Sequence, residues 1–291
     1  MATASQWLAG SRPRTLPAAF APVIVGTGLA IGAKSFNAWA ALLALVVAVA
    51  LQIGVNYSND YSDGIRGTDE VRVGPVRLVG QGLAPAAQVK RAAILSFAAA
   101  MLAGLGLVLI TQRWWLILIG LACVAAAWLY TGGKHPYGYL GLGEIFVFVF
   151  FGLVPVVGTF YVQSLTVTAN SIIAACGVGL LSCAILVTNN LRDIPGDIRS
   201  DKRTLAVRLG AARTRILYVL LVIGAAACVV VLTFTYSKSA VLALASFALA
   251  VTPTRIVMSG AEGRDLIPAL KGTGVLLLVY GIVLGIALTL D

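Results

Sequence analysis

Nine apolar runs, each 17 to 20 residues long and nearly free of charge, follow one another along the 291-residue chain at 16–33, 38–55, 92–110, 114–130, 145–161, 171–187, 216–235, 240–258 and 274–290. A helix of about 20 residues crosses a hydrocarbon core roughly 30 Å thick, so each run has the length of a membrane span. The runs are apolar on every side. A lipid-exposed barrel strand would alternate apolar and polar residues over about ten positions, so strands are excluded. The sequence therefore predicts an all-α, polytopic membrane protein with nine spans around a common interior. With 59% hydrophobic and 11% charged residues, it departs from the roughly 45–50% apolar and about 25% charged soluble average. No linker interrupts the series, which predicts a single domain over residues 1–291.

The net charge of +10 does not point to nucleic acid, because the basic residues are scattered through short loops without an aromatic-studded polar surface. Topology accounts for them. With the N-terminus in the cytoplasm, all but Lys34, Arg113 and Lys238 of the 21 Lys and Arg residues fall on one side. The positive-inside rule then predicts a multi-pass protein of the cell membrane with that side cytoplasmic. Residues 1–17 lack a basic segment followed by a continuous apolar core and a cleavage site, so no cleaved signal peptide is expected. The four cysteines lie singly in apolar runs and read as small hydrophobes rather than disulfides. A single histidine, His135, leaves any metal to be held by oxygen.

Seven of the eleven acidic residues crowd into two windows, 56–70 (NYSNDYSDGIRGTDE) and 189–201 (NNLRDIPGDIRSD), after the second and sixth runs. If each run continues as helix, Asn56, Asp60 and Asp63 share a face, as do Asn59 and Asp63, and Asp193, Asp197 and Asp201 recur every four residues. Pro195 threatens the second pattern, because proline disrupts a helix interior. Grouped carboxylates near a bilayer repel one another unless a cation intervenes. Magnesium takes oxygen ligands and completes its shell with waters and substrate phosphates. The two windows are thus read as facing halves of one magnesium-diphosphate site, with Asn59, Asp60, Asp63, Asp69, Asp193, Asp197 and Asp201 as candidate ligands. The bland alternative is a set of solvated loop acids paired with nearby arginines.

A diphosphate needs donors beyond the metal. Arg66, Arg72, Lys134, Arg192, Lys202 and Arg203 are the candidates, with Arg77 beside them, guanidinium being suited to bidentate phosphate contact. The loop 130–144 (YTGGKHPYGYLGLGE) combines five glycines with three tyrosines, which allows close backbone approach and a ring-lined pocket. The segments 59–91, 131–144 and 192–215 are expected to cap the site. Arg12 and Arg14 precede the first run, where they either anchor the helix to headgroups or reach the site. Gly281 and Gly285 form a GxxxG pair that reads as helix packing.

The segments SRPRTLP, NDYSDGIRGTD with RVGPVRLV, YTGGKHPYGYLGLGE and NNLRDIPGDIRSDKRTLAVRLG resemble the UbiA superfamily of intramembrane aromatic prenyltransferases over the whole chain. The resemblance is nearest to the menaquinone branch. It implies a helical barrel with a cavity open sideways to lipid, and transfer of a polyprenyl group from polyprenyl diphosphate to 1,4-dihydroxy-2-naphthoate with loss of carboxylate, using Mg2+. Asp63, Asp193 and Lys134 would then be catalytic, and Arg14, Asn56, Tyr130, Tyr139 and Asn190 would meet the acceptor. The family pattern NxxxDxxxD falls on Asn59, Asp63 and Gly67, so its third acid is missing and Asp69 is the substitute to examine. Relatives with another acceptor, such as 4-hydroxybenzoate or haem, are the nearer alternative. A transporter is the more distant one, since transporters set their acids near the midplane of broken helices.

Overall fold

The computed structural model describes residues 2–67 and 76–290. Among them there is no strand, as the apolar runs require. The α-helices in chain order are α1 (Ala4–Gly10), α2 (Pro17–Gly32), α3 (Ala38–Ile65), α4 (Ala86–Thr111), α5 (Leu116–Leu129), α6 (Gly143–Val147), α7 (Val154–Ser164), α8 (Ala169–Arg199), α9 (Leu205–Thr235), α10 (Val251–Met258) and α11 (Ile267–Ala287). A π-helical turn, Phe148–Leu153, joins α6 to α7, and a 3-10 segment, Lys238–Ala250, leads into α10.

All nine runs are helical, yet they are not nine equal spans. Seven helical stretches among the described residues are long and apolar enough to cross a membrane, and an eighth counts if Ala4–Thr15 and Pro17–Gly32 form one span bent by 50°. The fourth run falls short. Its helix α5 has 14 residues, about 21 Å of rise against a core of roughly 30 Å, because Arg113–Leu116 form turns where the run should begin.

Helix α8 is the centre of the bundle. Small residues on it, among them Ala174, Ala175, Gly177 and Gly179, let neighbours approach closely, and its side chains join Val25, Leu29, Tyr218, Leu277 and Leu284 in the principal core. The Gly281–Gly285 pair packs as its spacing predicts: a Cβ added to Gly281 would stand 2.7 Å from Ala21 Cβ of α2, and Gly285 abuts Ile24. The π turn places Gly152 against the backbone of Gly179, with Phe150 and Phe151 turned into the cavity.

Two of the helices that outrun the bilayer carry the site. At 28 and 31 residues, α3 and α8 are about 42 and 46 Å long. Their last turns carry the acidic windows. Pro195 lies inside α8 without ending it, forfeiting one N–H bond, so Asp193 and Asp197 do share a face one turn apart. Asp201 does not. It lies beyond the helix with φ 50.

Candidate active site

A cavity of about 1180 Å³ runs through the bundle. One end is apolar, with Ala44, Val47 and Ala48 of α3, Leu107 of α4, and Gly158 and Val162 of α7. The other gathers Asn56, Asn59 and Asp63 of α3, Asn189, Asn190, Arg192 and Asp197 of α8, and Lys202, Arg77 and Tyr139 from the connecting segments. Among the described residues, Asp63 and Asp197 are the two carboxylates that line it.

Asp63 is 2% exposed. Its Oδ1 accepts the Tyr139 hydroxyl at 2.6 Å and the Lys202 ammonium at 3.2 Å. Lys202 is also buried, its Nζ 4.5 Å above the Tyr139 ring, a cation–π arrangement that strengthens where water is excluded. Backbone bonds fix this triad: Arg203 N–H donates to the Tyr139 carbonyl at 3.0 Å and Lys202 N–H to the Asp197 carbonyl at 2.8 Å. On the second helix, Asp197 Oδ2 accepts the Thr204 hydroxyl at 3.4 Å. Thr131 donates to Asn59 Oδ1 at 2.8 Å, tying the loop 131–144 to α3. Burial pushes the Tyr137 phenol above its ordinary pKa, and Tyr130 beside it adds to the rise. Its hydroxyl therefore stays protonated and donates to the Ala126 carbonyl at 2.7 Å.

Several expected ligands have other tasks. Asp60 is fully buried and accepts the N–H groups of Leu78 and Val79 at 2.7 and 3.1 Å, clamping that segment to α3. Asp193 is held bidentately by Arg192, at 2.7 Å to Nε and 2.8 Å to Nη2, and Arg192 also reaches Asn189 Oδ1 at 2.8 Å. Asp201 and Arg203 pair with each other at 3.5 Å in solvent, 89% and 73% exposed. Lys134 is exposed and does not line the cavity. Arg66 lies over the Tyr139 ring and donates to the carbonyls of Thr131 and Gly133, stapling the loop rather than facing the cavity. Arg14, Tyr130, Asn56 and Asn190 do line it. Asp69 and Arg72 lie outside the described residues.

The remaining donor set suits a hard cation. Asp63, Asp197 and Asn59 offer oxygen only, from opposing helices. No group of three or more His, Cys, Asp or Glu among the described residues forms a self-contained metal cage. Magnesium does not require one, since it is held by one or two carboxylates with waters and substrate phosphates. Sequence reasoning missed Gln52, Thr15 and Lys271, all of which line the cavity. Gln52 had a signal, as a polar residue inside an apolar run, where such residues mark function.

Comparison with known proteins agrees with this architecture. The chain is 54% identical over 291 residues to the 1,4-dihydroxy-2-naphthoate octaprenyltransferase of Mycobacterium tuberculosis (strain ATCC 25618 / H37Rv), covering 99% of this chain and 98% of the relative. The enzyme of the same name from Escherichia coli (strain K12) is 40% identical over 294 residues, covering 97% and 95%. A UbiA homologue from Archaeoglobus fulgidus, solved with DMAPP and Mg2+, shares the fold with a TM-score of 0.70 at 16% identity, over 96% of this chain and 99% of that one. Residues 19–265 match the model of the UbiA prenyltransferase family, and this multi-pass membrane protein belongs to that family.

Proposed function

We propose that the protein transfers a polyprenyl group from polyprenyl diphosphate to 1,4-dihydroxy-2-naphthoate, with loss of the ring carboxylate. The observation that carries this reading is one cavity with a polar head, where Asp63, Asp197, Lys202 and Arg192 meet, and an apolar body deep enough for an isoprenoid tail. The similarity to dihydroxynaphthoate octaprenyltransferases along nearly the whole chain supports the choice of acceptor.

Asp63 and Asp197, with Asn59, would hold Mg2+, which when bound neutralises the diphosphate and eases its departure. Lys202, Arg192 and Arg77 supply the fixed positive charge that stabilises the leaving group as the allylic carbon–oxygen bond breaks and its electron pair goes to diphosphate. Asp193 orients Arg192 for this task, and Tyr139 orients Lys202. The ring carbon that bears the carboxylate forms the new carbon–carbon bond to the allylic carbon. The carboxylate then leaves as CO2 and its electron pair restores the aromatic ring, giving a polyprenyl naphthoquinol, the reduced form of demethylmenaquinone. Apolar walls keep water from the allylic cation. The positive-inside rule supports a cytoplasmic position for the basic, polar end.

Purified protein with Mg2+, octaprenyl diphosphate and 1,4-dihydroxy-2-naphthoate is expected to give the prenylated, decarboxylated product by mass spectrometry. Product from 4-hydroxybenzoate but none from the naphthoate would overturn the assignment.

A further inference from the structure

Gln52 has no part in the diphosphate chemistry. It lies inside the apolar run that becomes α3, one helical turn before Asn56, and is 5% exposed. Its Nε2 donates to Thr15 Oγ1 at 2.9 Å. Asn56 Nδ2 donates to the same oxygen at 3.0 Å and to the Ser11 carbonyl at 2.9 Å. The single proton of the Thr15 hydroxyl is already committed to the Arg12 carbonyl at 2.9 Å, so Thr15 Oγ1 is purely an acceptor toward both amides. Each amide must therefore present its N–H side to Thr15. This settles which way the amides face, a choice that heavy-atom positions alone leave open.

Asn56, with both N–H groups committed, has only its carbonyl oxygen left for the cavity, and Gln52 has its carbonyl oxygen and one N–H. Both residues line it, and Gln52 Oε1 is buried with no hydrogen-bond partner among the described residues. Buried acceptors are nearly always satisfied, so a ligand that brings a donor would complete this one. Four residues of helix rise about 6 Å, comparable to the span between two para oxygens on one aromatic ring. Asn56 is seven residues from Asp63, about 10 Å along the axis, which sets a ring at this level beneath the diphosphate end.

We infer that Gln52 and Asn56 form a two-point acceptor for the hydroxyls of a 1,4-dihydroxy aromatic ring, with Thr15 as the positioning residue that turns both carbonyls toward it. The pair selects as well as binds. Asn56, with only a carbonyl oxygen to offer, welcomes a hydroxyl donor and repels a carboxylate, so a ring that sets a carboxylate against it is disfavoured. The inference rests on the acceptor reading above and adds the residues that enforce it.

The test uses full-length protein in detergent, under anaerobic conditions, with 1,4-dihydroxy-2-naphthoate and with 1-hydroxy-2-naphthoate, which lacks one hydroxyl. Binding of each is measured by competition, and KM is measured for the diphosphate. Wild type is expected to prefer the dihydroxy ring by about tenfold or more. Gln52→Leu should bind both rings alike while KM for prenyl diphosphate stays unchanged. Thr15→Val should lose the preference too, and Thr15→Ser, which keeps the hydroxyl, should retain it. The Thr15 pair carries the test if Gln52→Leu does not fold. A wild-type preference surviving in Gln52→Leu or Thr15→Val, or no preference in wild type, overturns the inference. Absence of any prenylated dihydroxynaphthoate from wild type would instead strike the acceptor reading itself.

Discussion

Lys202 Nζ stands 3.2 Å from Asp63 Oδ1 across 139 residues of sequence, and both side chains are buried. The contact joins the end of α3 to the segment after α8, so the two acidic windows meet through a cation of the protein's own. Truncating one partner strands the other charge, which in buried pairs costs about 3–5 kcal/mol. Lys202→Ala is therefore expected to lower thermal stability and to raise KM for prenyl diphosphate. Lys202→Arg should recover much of the stability but not the geometry over Tyr139. Thermal melts paired with diphosphate titrations check this, and an unchanged KM in Lys202→Ala would remove Lys202 from the diphosphate site.

Asp60 and Asp63 are separated by less than one turn yet should differ in their response to Mg2+. Asp60→Ala leaves the N–H groups of Leu78 and Val79 without their acceptor, at about 1–3 kcal/mol for each buried donor. Its signature is a lower melting temperature with the Mg2+ requirement of the surviving enzyme unchanged. Asp63→Asn, which keeps an acceptor for Tyr139 and Lys202 but leaves the buried Lys202 charge unpaired, should lower the melting temperature as well, yet it and Asp197→Asn should both raise the Mg2+ concentration needed for half-maximal activity. Mg2+ titrations of the three variants separate the roles.

Much of the architecture was legible because one solvent dictates it: in lipid, apolar runs of span length have helix as their only open form. The pairing of Asn59 with Asp63 and the helical register of Asp193 and Asp197 followed from helix periodicity alone. What stayed hidden depends on contacts distant in sequence. Nothing local distinguishes Asp60, which accepts backbone donors 18 and 19 residues on, from Asp63, which faces the cavity. Arg192 bends back onto the adjacent Asp193, so the aspartate best matched to the expected motif is enclosed by its own neighbour. Lys134 sits in an arresting sequence, but the chain bends at Gly133, with φ 78, and Lys134 beside it is exposed.

Lys134 supplies a prediction of the opposite kind. Exposed and outside the cavity, it should tolerate Lys134→Ala with kcat and both KM values within about twofold of wild type, as surface substitutions usually do. Arg66→Ala, at the end of α3 but bonded to the same loop, is the informative control. Removing the donors to the Thr131 and Gly133 carbonyls should loosen the cap, reduce activity and speed proteolysis of 131–144. Steady-state kinetics with limited proteolysis read both, and a large loss in Lys134→Ala would restore it to the site.

The far end of the cavity makes a prediction about substrate length. Ala44 lies 19 residues before Asp63 on α3, about 28 Å along the axis, and packs in one apolar cluster with Leu107 and Val162. Gly158, one turn before Val162 on α7, lines the cavity, and a Cβ added there would meet nothing within 4 Å. That space is where a long isoprenoid tail would run, and a side chain grown from that Cβ would extend into it. Replacing a helical glycine also removes a backbone-entropy penalty of about 0.5–1 kcal/mol, so folding is not at risk. Gly158→Leu should cut kcat/KM for octaprenyl diphosphate by about tenfold or more, as removal of favourable apolar contacts for several methylenes implies, while leaving geranyl diphosphate nearly unaffected. Measuring kcat/KM across a series of chain lengths decides it: a uniform fall for short and long donors alike would mean that the tail does not pass Gly158.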